Sequence, residues 1–274
     1  MNRVAAKFAE LSVLGKKALI PYLMAGDPSV DVTLKMMEVL EENGADLIEL
    51  GIPFSDPLAD GPVIQKATQR ALKNGFRMSK LFPLVEAAVK VISLPIVLMA
   101  YYNLILQYGT ERFIQEAMEA GVGGLVIPDL PPEEAGEISR IALECGIALN
   151  FLTTPVSTPM RIKKAAMAST GFLYLVSVRG VTGERRSLSL ELPVLVKKIK
   201  RVTSLPVAIG FGVSCPEQAR ELASLADGVI VGSAVVNRMV NDNPETSYRE
   251  VGAFIRSLRQ AINKEDILKE QRTD

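Results

Sequence analysis

The sequence predicts an α/β fold: a (β/α)8 TIM barrel with an N-terminal capping helix and extra helices. Eight apolar runs of about five to nine residues, rich in Val, Ile and Leu, alternate with amphipathic stretches along 274 residues. The runs are continuous rather than alternating, which means burial on both faces and hence a parallel sheet covered by helices. Short echoes fit equivalent β/α units closed into a barrel better than a doubly wound sheet. Ser93-Leu94-Pro95-Ile96-Val97 returns as Ser204-Leu205-Pro206-Val207-Ala208, and Gly44-Ala45-Asp46, Gly121-Val122-Gly123 and Leu225-Ala226-Asp227 each lead into a run.

Asn2 to Leu14 places Val4, Phe8 and Leu11 at helical spacing and forms the capping helix. Lys7 and Glu10 interrupt it, so it lacks the apolar core of a targeting signal. The strands centre on 18–24, 46–50, 95–100, 123–128, 147–152, 171–176, 205–210 and 227–232. Helical patterns follow at Val30 to Asn43, Pro62 to Lys73, Thr110 to Ala120, Pro132 to Cys145, Thr158 to Ala168, Ser189 to Arg201, Pro216 to Leu225 and Ser233 to Val240. A helix from Ser79 to Val91 is an addition between the second and third strands, and one from Thr246 to Asn263 precedes a charged tail. No linker is visible, so residues 1–274 are expected to form a single domain.

Composition, 48 % hydrophobic and 23 % charged, is ordinary for a soluble globular protein. The formal net charge is zero and no long like-charge run occurs, so neither nucleic acid nor an anionic membrane is an expected partner. The longest apolar run, Ser93 to Tyr102, falls far short of the roughly 20 residues that span a bilayer. Cys145 and Cys215 form no C-x-x-C motif and suggest a reducing, cytoplasmic setting. The chain has no histidine, which removes Ser-His-Asp, Cys-His and ordinary zinc sites together. Proton transfer must then use Asp, Glu, Tyr, Lys or Cys.

The second strand carries such a group. In extended chain Leu47, Glu49 and Gly51 share one face while Ile48 and Leu50 share the other. A carboxylate there is costly to bury unless its pKa rises, it finds a partner, or a pocket mouth supplies solvent. Glu49 therefore reads either as an acid–base group or as a structural carboxylate bonded to backbone N–H groups or a cation. The loop 53–62 holds three prolines and a glycine, which stiffen the directions of Asp56 and Asp60. Both could also be turn residues or caps of the helix beginning near Pro62.

Glycines follow the later strands: Gly210-Phe211-Gly212 after the seventh, and Gly232-Ser233 after the eighth. Each opens a helix where backbone N–H groups can face an anion, which suits a phosphate; tight turn geometry alone is the bland alternative. Gly180-Val181-Thr182-Gly183 after the sixth strand is either a mobile lid or an exposed loop without a task.

These residues resemble the alpha chain of tryptophan synthase along essentially the whole length. The most specific segment runs from Glu49-Leu50-Gly51-Ile52-Pro53-Phe54-Ser55-Asp56 through Pro57-Leu58-Ala59-Asp60-Gly61-Pro62. Tyr101, Asn103, Asp129, the Gly-Val-Thr-Gly loop, Gly-Phe-Gly and Gly-Ser agree in order and spacing. The resemblance implies cleavage of indole-3-glycerol phosphate to indole and glyceraldehyde 3-phosphate, a retro-aldol reaction without metal or Schiff base.

By the same resemblance Glu49 is the general acid–base, Asp60 takes the indole N–H, and Thr182 from the lid holds Asp60. The phosphate goes to Gly183, Gly212, Gly232 and Ser233, and the indole among Tyr22, Tyr101, Val126, Ile127, Tyr174 and Phe211, positions that are otherwise ordinary barrel core. Position 22 is Tyr where the family often has Phe, which adds a hydroxyl needing a partner near the pocket. Ser177-Val178-Arg179 before the lid falls in a variable stretch.

Family members usually work in an α2β2 complex with a beta chain that carries pyridoxal phosphate, so no cofactor is expected in this chain. Pro53, Asp56 and Asn103 would lie on that face, and an exposed patch of Pro53, Phe54, Pro57, Leu104 and Ile105 would favour it. The alternatives are a stand-alone lyase releasing indole, a sugar-phosphate epimerase or isomerase using Glu49, and a noncatalytic allosteric barrel.

Overall fold

The computed structural model describes residues 2–176, 191–210, 212–241 and 243–270, with no side chain described for Glu191 or beyond Asn263. Nine parallel strands form one sheet: β1 Ala18–Met24, β2 Ile48–Gly51, β3 Ile96–Met99, β4 Gly124–Val126, β5 Ala148–Leu149, β6 Leu152–Thr153, β7 Leu173–Val176, β8 Val207–Gly210 and β9 Gly228–Val231. Their order is β5-β4-β3-β2-β1-β9-β8-β7-β6. The two edges, β5 and β6, are consecutive pieces of one extended segment. β5 pairs with β4 and β6 with β7, so the sheet closes on itself as the predicted eight-unit barrel.

The fifth strand, expected as one run over 147–152, is thus interrupted at Asn150 and Phe151. Backbone pairing continues across the break, Asn150 N donating to Leu125 O and Tyr174 N to Phe151 O, each at 3.0 Å, and a buried amide adds to it. Asn150 Nδ2 donates to the Leu125 carbonyl at 3.1 Å, and its Oδ1 accepts from Phe172 N at 2.9 Å. A Cβ on Gly171 would stand 2.5 Å from that Oδ1, so glycine makes the room the amide needs.

Alternation along the strands sorts side chains into two layers. Ile20, Leu47, Val97, Val126, Phe172 and Ile230 fill the barrel interior, whereas Ile48, Leu50, Ile96 and Leu98 face the helices. Helix α1, Arg3–Val13, plugs the N-terminal end by packing Val4, Phe8 and Leu11 into the interior cluster, with the Phe8 and Phe172 rings 5.4 Å apart. Asn2 caps it by accepting from Ala5 N at 2.8 Å. The capping helix is therefore a stopper that leaves the opposite, C-terminal mouth for chemistry.

Outside the strands lie α2 Val30–Glu42, α3 Pro62–Lys73, α4 Leu81–Val91, α5 Tyr102–Tyr108, α6 Thr110–Ala120, α7 Gly136–Glu144, α8 Pro159–Ala168, α9 Glu191–Lys200, α10 Pro216–Leu225, α11 Ser233–Arg238 and α12 Pro244–Glu270. Four of these correct the sequence reading. The extra helix begins at Leu81 after a 3₁₀ turn, Met78–Lys80. Helix α7 starts at Gly136 because Pro131 and Pro132 head turns closed by Glu134 N and Ala135 N. Helix α12 continues through Glu270 into the segment expected to be a tail. Helix α5 was unforeseen; its first N–H, from Tyr102, is satisfied by Asp129 Oδ1 at 2.9 Å. Among the described residues no helix is long and apolar enough to cross a membrane. Cys145 and Cys215 are free.

Candidate active site

The C-terminal mouth of the barrel gathers Tyr22 from β1, Glu49 from β2 and Tyr174 from β7. Tyr22 and Glu49 are register partners on neighbouring strands. Two glycines make the mouth wide enough for the rings. A Cβ on Gly51 would overlap the Tyr22 hydroxyl, and one on Gly210 would stand 2.5 Å from the Tyr174 hydroxyl. Gly51→Ala is accordingly expected to lower stability by about 1–3 kcal/mol through overpacking, read as a lower urea midpoint at unchanged slope. A midpoint equal to that of the parent protein would refute the packing argument.

Glu49 is only 2 % exposed, and its Oε1 has no hydrogen-bond partner among the described residues. The alternative of a structural carboxylate satisfied by backbone or by a cation does not hold for that oxygen. Burial first, then the nearby charge of Asp60, push its pKa up to about 8, with the Tyr174 hydroxyl acting in the opposite direction. At neutral pH the carboxyl is therefore mostly protonated.

Asp60 reaches the mouth from the proline-stiffened loop. Asp60 N donates to Pro57 O at 3.1 Å, Ala59 N donates to the Tyr101 hydroxyl at 3.0 Å, and Gln65 Nε2 donates to the Asp60 carbonyl at 2.9 Å. The Phe54 and Tyr101 rings lie 5.2 Å apart beneath this turn. Neither Asp56 nor Asp60 caps the next helix, because the N-cap of α3 is Gly61 and no side chain bonds there. Asp56 is exposed and accepts from the neighbouring Ser55 hydroxyl at 2.7 Å. Burial raises the pKa of Asp60 to about 6 against the opposing hydrogen bond of Tyr101. Burial first, then Asp60, raise that of Tyr101. Helix α3 is itself anchored by a bidentate pair, Arg70 to the buried Asp27 at 2.8 and 2.6 Å.

The remaining predicted positions divide. Val126, the last residue of β4, packs in the interior cluster, and Ile127, just beyond the strand, is buried in the larger cluster that also holds Tyr22. Gly212 takes a left-handed φ of 74°, which glycine adopts without strain, and Gly232 immediately precedes α11, whose first residue is Ser233. Thr182, Gly183 and Phe211 lie outside the described residues.

A sequence profile of the family described as tryptophan synthase alpha chain matches residues 8–263. The chain belongs to the tryptophan synthase alpha chain family. It is 45 % identical to the tryptophan synthase alpha chain of Geotalea daltonii over 262 residues, covering 96 % of this chain and 99 % of the relative. It is also 45 % identical to that of Caldanaerobacter subterraneus subsp. tengcongensis over 263 residues, covering 96 % and 100 %. Crystal structures agree. Tryptophan synthase subunit alpha from Legionella pneumophila superposes with a TM-score of 0.85 at 39 % identity over 96 % of this chain and 99 % of that one. A chain of tryptophan synthase from M. tuberculosis gives 0.87 at 36 % identity, over 96 % and 99 %.

On this tryptophan synthase alpha chain barrel the expected apolar patch is laid out differently. Ile105 and Pro53 are buried, and Phe54, Pro57 and Leu104 are half-buried. The exposed apolar side chains of the loop and of α5 are instead Leu58, 94 % exposed, and Leu106, 51 % exposed, beside exposed Asp56 and Asn103. Sequence reasoning also passed over Gln65 and Met24. The first announces itself only through its bond to the Asp60 carbonyl, and the second only through the hydroxyls around its sulfur.

Proposed function

We propose that Glu49 and Asp60 are the acid–base pair with which this tryptophan synthase alpha chain cleaves indole-3-glycerol phosphate to indole and glyceraldehyde 3-phosphate. The observation that carries the assignment is that the buried Glu49, with an oxygen unpartnered among the described residues, and Asp60, brought in by the loop bonded to Tyr101 and Gln65, meet at one mouth, where burial raises both carboxyls, the first to about 8 and the second to about 6. At neutral pH the first is an acid and the second an anion, which are the two groups a retro-aldol step on an indole requires.

Glu49 delivers its proton to C3 of the ring, and the positive charge that appears on the ring N–H is met by the Asp60 carboxylate. The carboxylate left on Glu49 then takes the proton of the glycerol hydroxyl. The O–H pair becomes the carbonyl π bond, the C–C pair returns to the ring, and Glu49 is regenerated. Tyr22, Tyr101, Val126, Ile127, Tyr174 and Phe211 supply the slot for the indole; Gly183, Gly212, Gly232 and Ser233 hold the phosphate; and Thr182 steadies Asp60. The chain acts as one domain in the cytoplasm and carries no cofactor. Its product passes to the pyridoxal-phosphate-dependent beta chain of an α2β2 assembly across a face that includes Pro53, Asp56, Asn103, Leu58 and Leu106.

Indole release from indole-3-glycerol phosphate, followed with and without a beta chain, tests the assignment. Stimulation by the beta chain is expected, whereas equal rates would favour a stand-alone lyase. The pH dependence is fixed in sign. Asp60 works ionised, so kcat/KM should fall below pH of about 6; Glu49 must start protonated, so it should fall above about 8. Because the charge of Asp60 is one cause of the raised Glu49 pKa, the alkaline limb depends on both groups. A profile still rising at pH 9 would rule out a protonated Glu49 as the starting acid.

A further inference from the structure

The Tyr22 hydroxyl is an unspent donor at the site. Tyr22 is buried, and among the described residues its hydroxyl finds as acceptor the thioether of Met24 at 4.0 Å, a sulfur already approached by the Thr68 hydroxyl at 3.7 Å. Thioether sulfur is a weak acceptor, so a buried phenol left with it is poorly satisfied. A ring that served only as a wall would need no hydroxyl there.

Beside it, in register on the next strand, Glu49 Oε1 is a buried acceptor with no donor among the described residues, the Tyr174 hydroxyl acting on the same carboxyl group without satisfying that oxygen. No hydrogen bond joins the two groups, although Gly51 keeps the space over β2 open for the phenol. A poorly satisfied donor and an unsatisfied acceptor on adjacent strands suit a group that both donates and accepts, and the substrate's hydroxyl is one: it gives its proton to the carboxylate side and accepts on its oxygen from the phenol. Burial, and then the charges of Asp60 and Glu49, hold Tyr22 well above the ordinary tyrosine range, so it donates and does not act as a base.

We propose that the Tyr22 hydroxyl donates to the oxygen of the substrate's reacting hydroxyl, the one whose proton Glu49 removes, and stabilises the negative charge that gathers there as that proton leaves. The inference rests on the Glu49 assignment above and adds a second contact at the same oxygen. Tyr22 keeps its own proton throughout. Its bond to the oxygen is stronger in the transition state than in the bound substrate, so its effect falls on kcat more than on KM.

Tyr22→Phe, assayed with the beta chain present, removes the donor and keeps the ring. The variant should lose on the order of 10- to 100-fold in kcat, below the full effect of a dedicated oxyanion donor because Glu49 remains. An inhibitor with hydrogen in place of the reacting hydroxyl should bind parent and variant within twofold of each other. A kcat within twofold of the parent, or equal losses in kcat and in inhibitor affinity, would overturn the proposal and leave Tyr22 a packing residue. Should the parent protein release no indole, the reaction assignment falls by itself. Equilibrium binding of the hydroxyl-bearing ligand and its deoxy counterpart then decides the Tyr22 contact: a preference for the former that vanishes in the variant sustains it, and one that persists refutes it.

Discussion

Glu49→Gln is expected to lower indole release by on the order of 10²–10⁴-fold, the range that a positioned proton-transfer group contributes. The change is nearly isosteric, and the amide is neutral, as the carboxyl itself mostly is at neutral pH with a pKa near 8. Folding should therefore survive the substitution, and melting temperature should move little. Glycerol phosphate affinity should also be preserved, since the glycines proposed for the phosphate after β8 and β9 lie on other strands than β2 and would bind through backbone N–H groups that the substitution leaves in place. An amide can occupy the same space and still cannot surrender a proton to carbon. Retention of more than a tenth of the parent turnover in a folded variant would move the acid role to another group.

How far the sequence led can be judged from particular residues. The alternation of Leu47, Glu49 and Gly51 against Ile48 and Leu50 placed the carboxyl inside the barrel, because a two-residue period needs only local chain. The closure of the sheet was legible for a similar reason, since continuous apolar strands must be covered on both faces. What escaped depends on partners distant in sequence. Helix α5 is short, and its start is satisfied by Asp129, 27 residues away from Tyr102. At the break between β5 and β6 a buried amide bridges Leu125 and Phe172, partners 25 and 22 residues away from Asn150. The exposed apolar residues beside the mouth were misassigned because Pro53 and Ile105 turn inward, which no period of two or 3.6 could specify for a turn-rich loop. Burial of Glu49 foretold the direction of its pKa, but the contribution of Asp60 required the loop to bring that residue back over the barrel.

The same coupling makes Asp60→Asn the more informative of the two carboxylate substitutions. Turnover should drop by about 10²–10³-fold, as when one preorganised electrostatic group at a developing charge is removed. The asparagine oxygen can still accept from a ring N–H, but it carries no net charge to meet the cation formed when C3 is protonated. A second effect follows in the free protein. The charge of Asp60 is, after burial, the next cause of the raised pKa of Glu49. With that charge gone, the acid form of Glu49 is less favoured and its titration should move to lower pH, although burial keeps it above the ordinary range. The alkaline limb of the activity remaining in the variant should move the same way, and the acid limb assigned to Asp60 should disappear. Carbon-13 NMR titration of the Glu49 carboxyl in both proteins measures the shift without turnover. An unchanged Glu49 titration beside a lost rate would mean that Asp60 acts on the ring alone. An unchanged rate would remove Asp60 from the chemistry altogether.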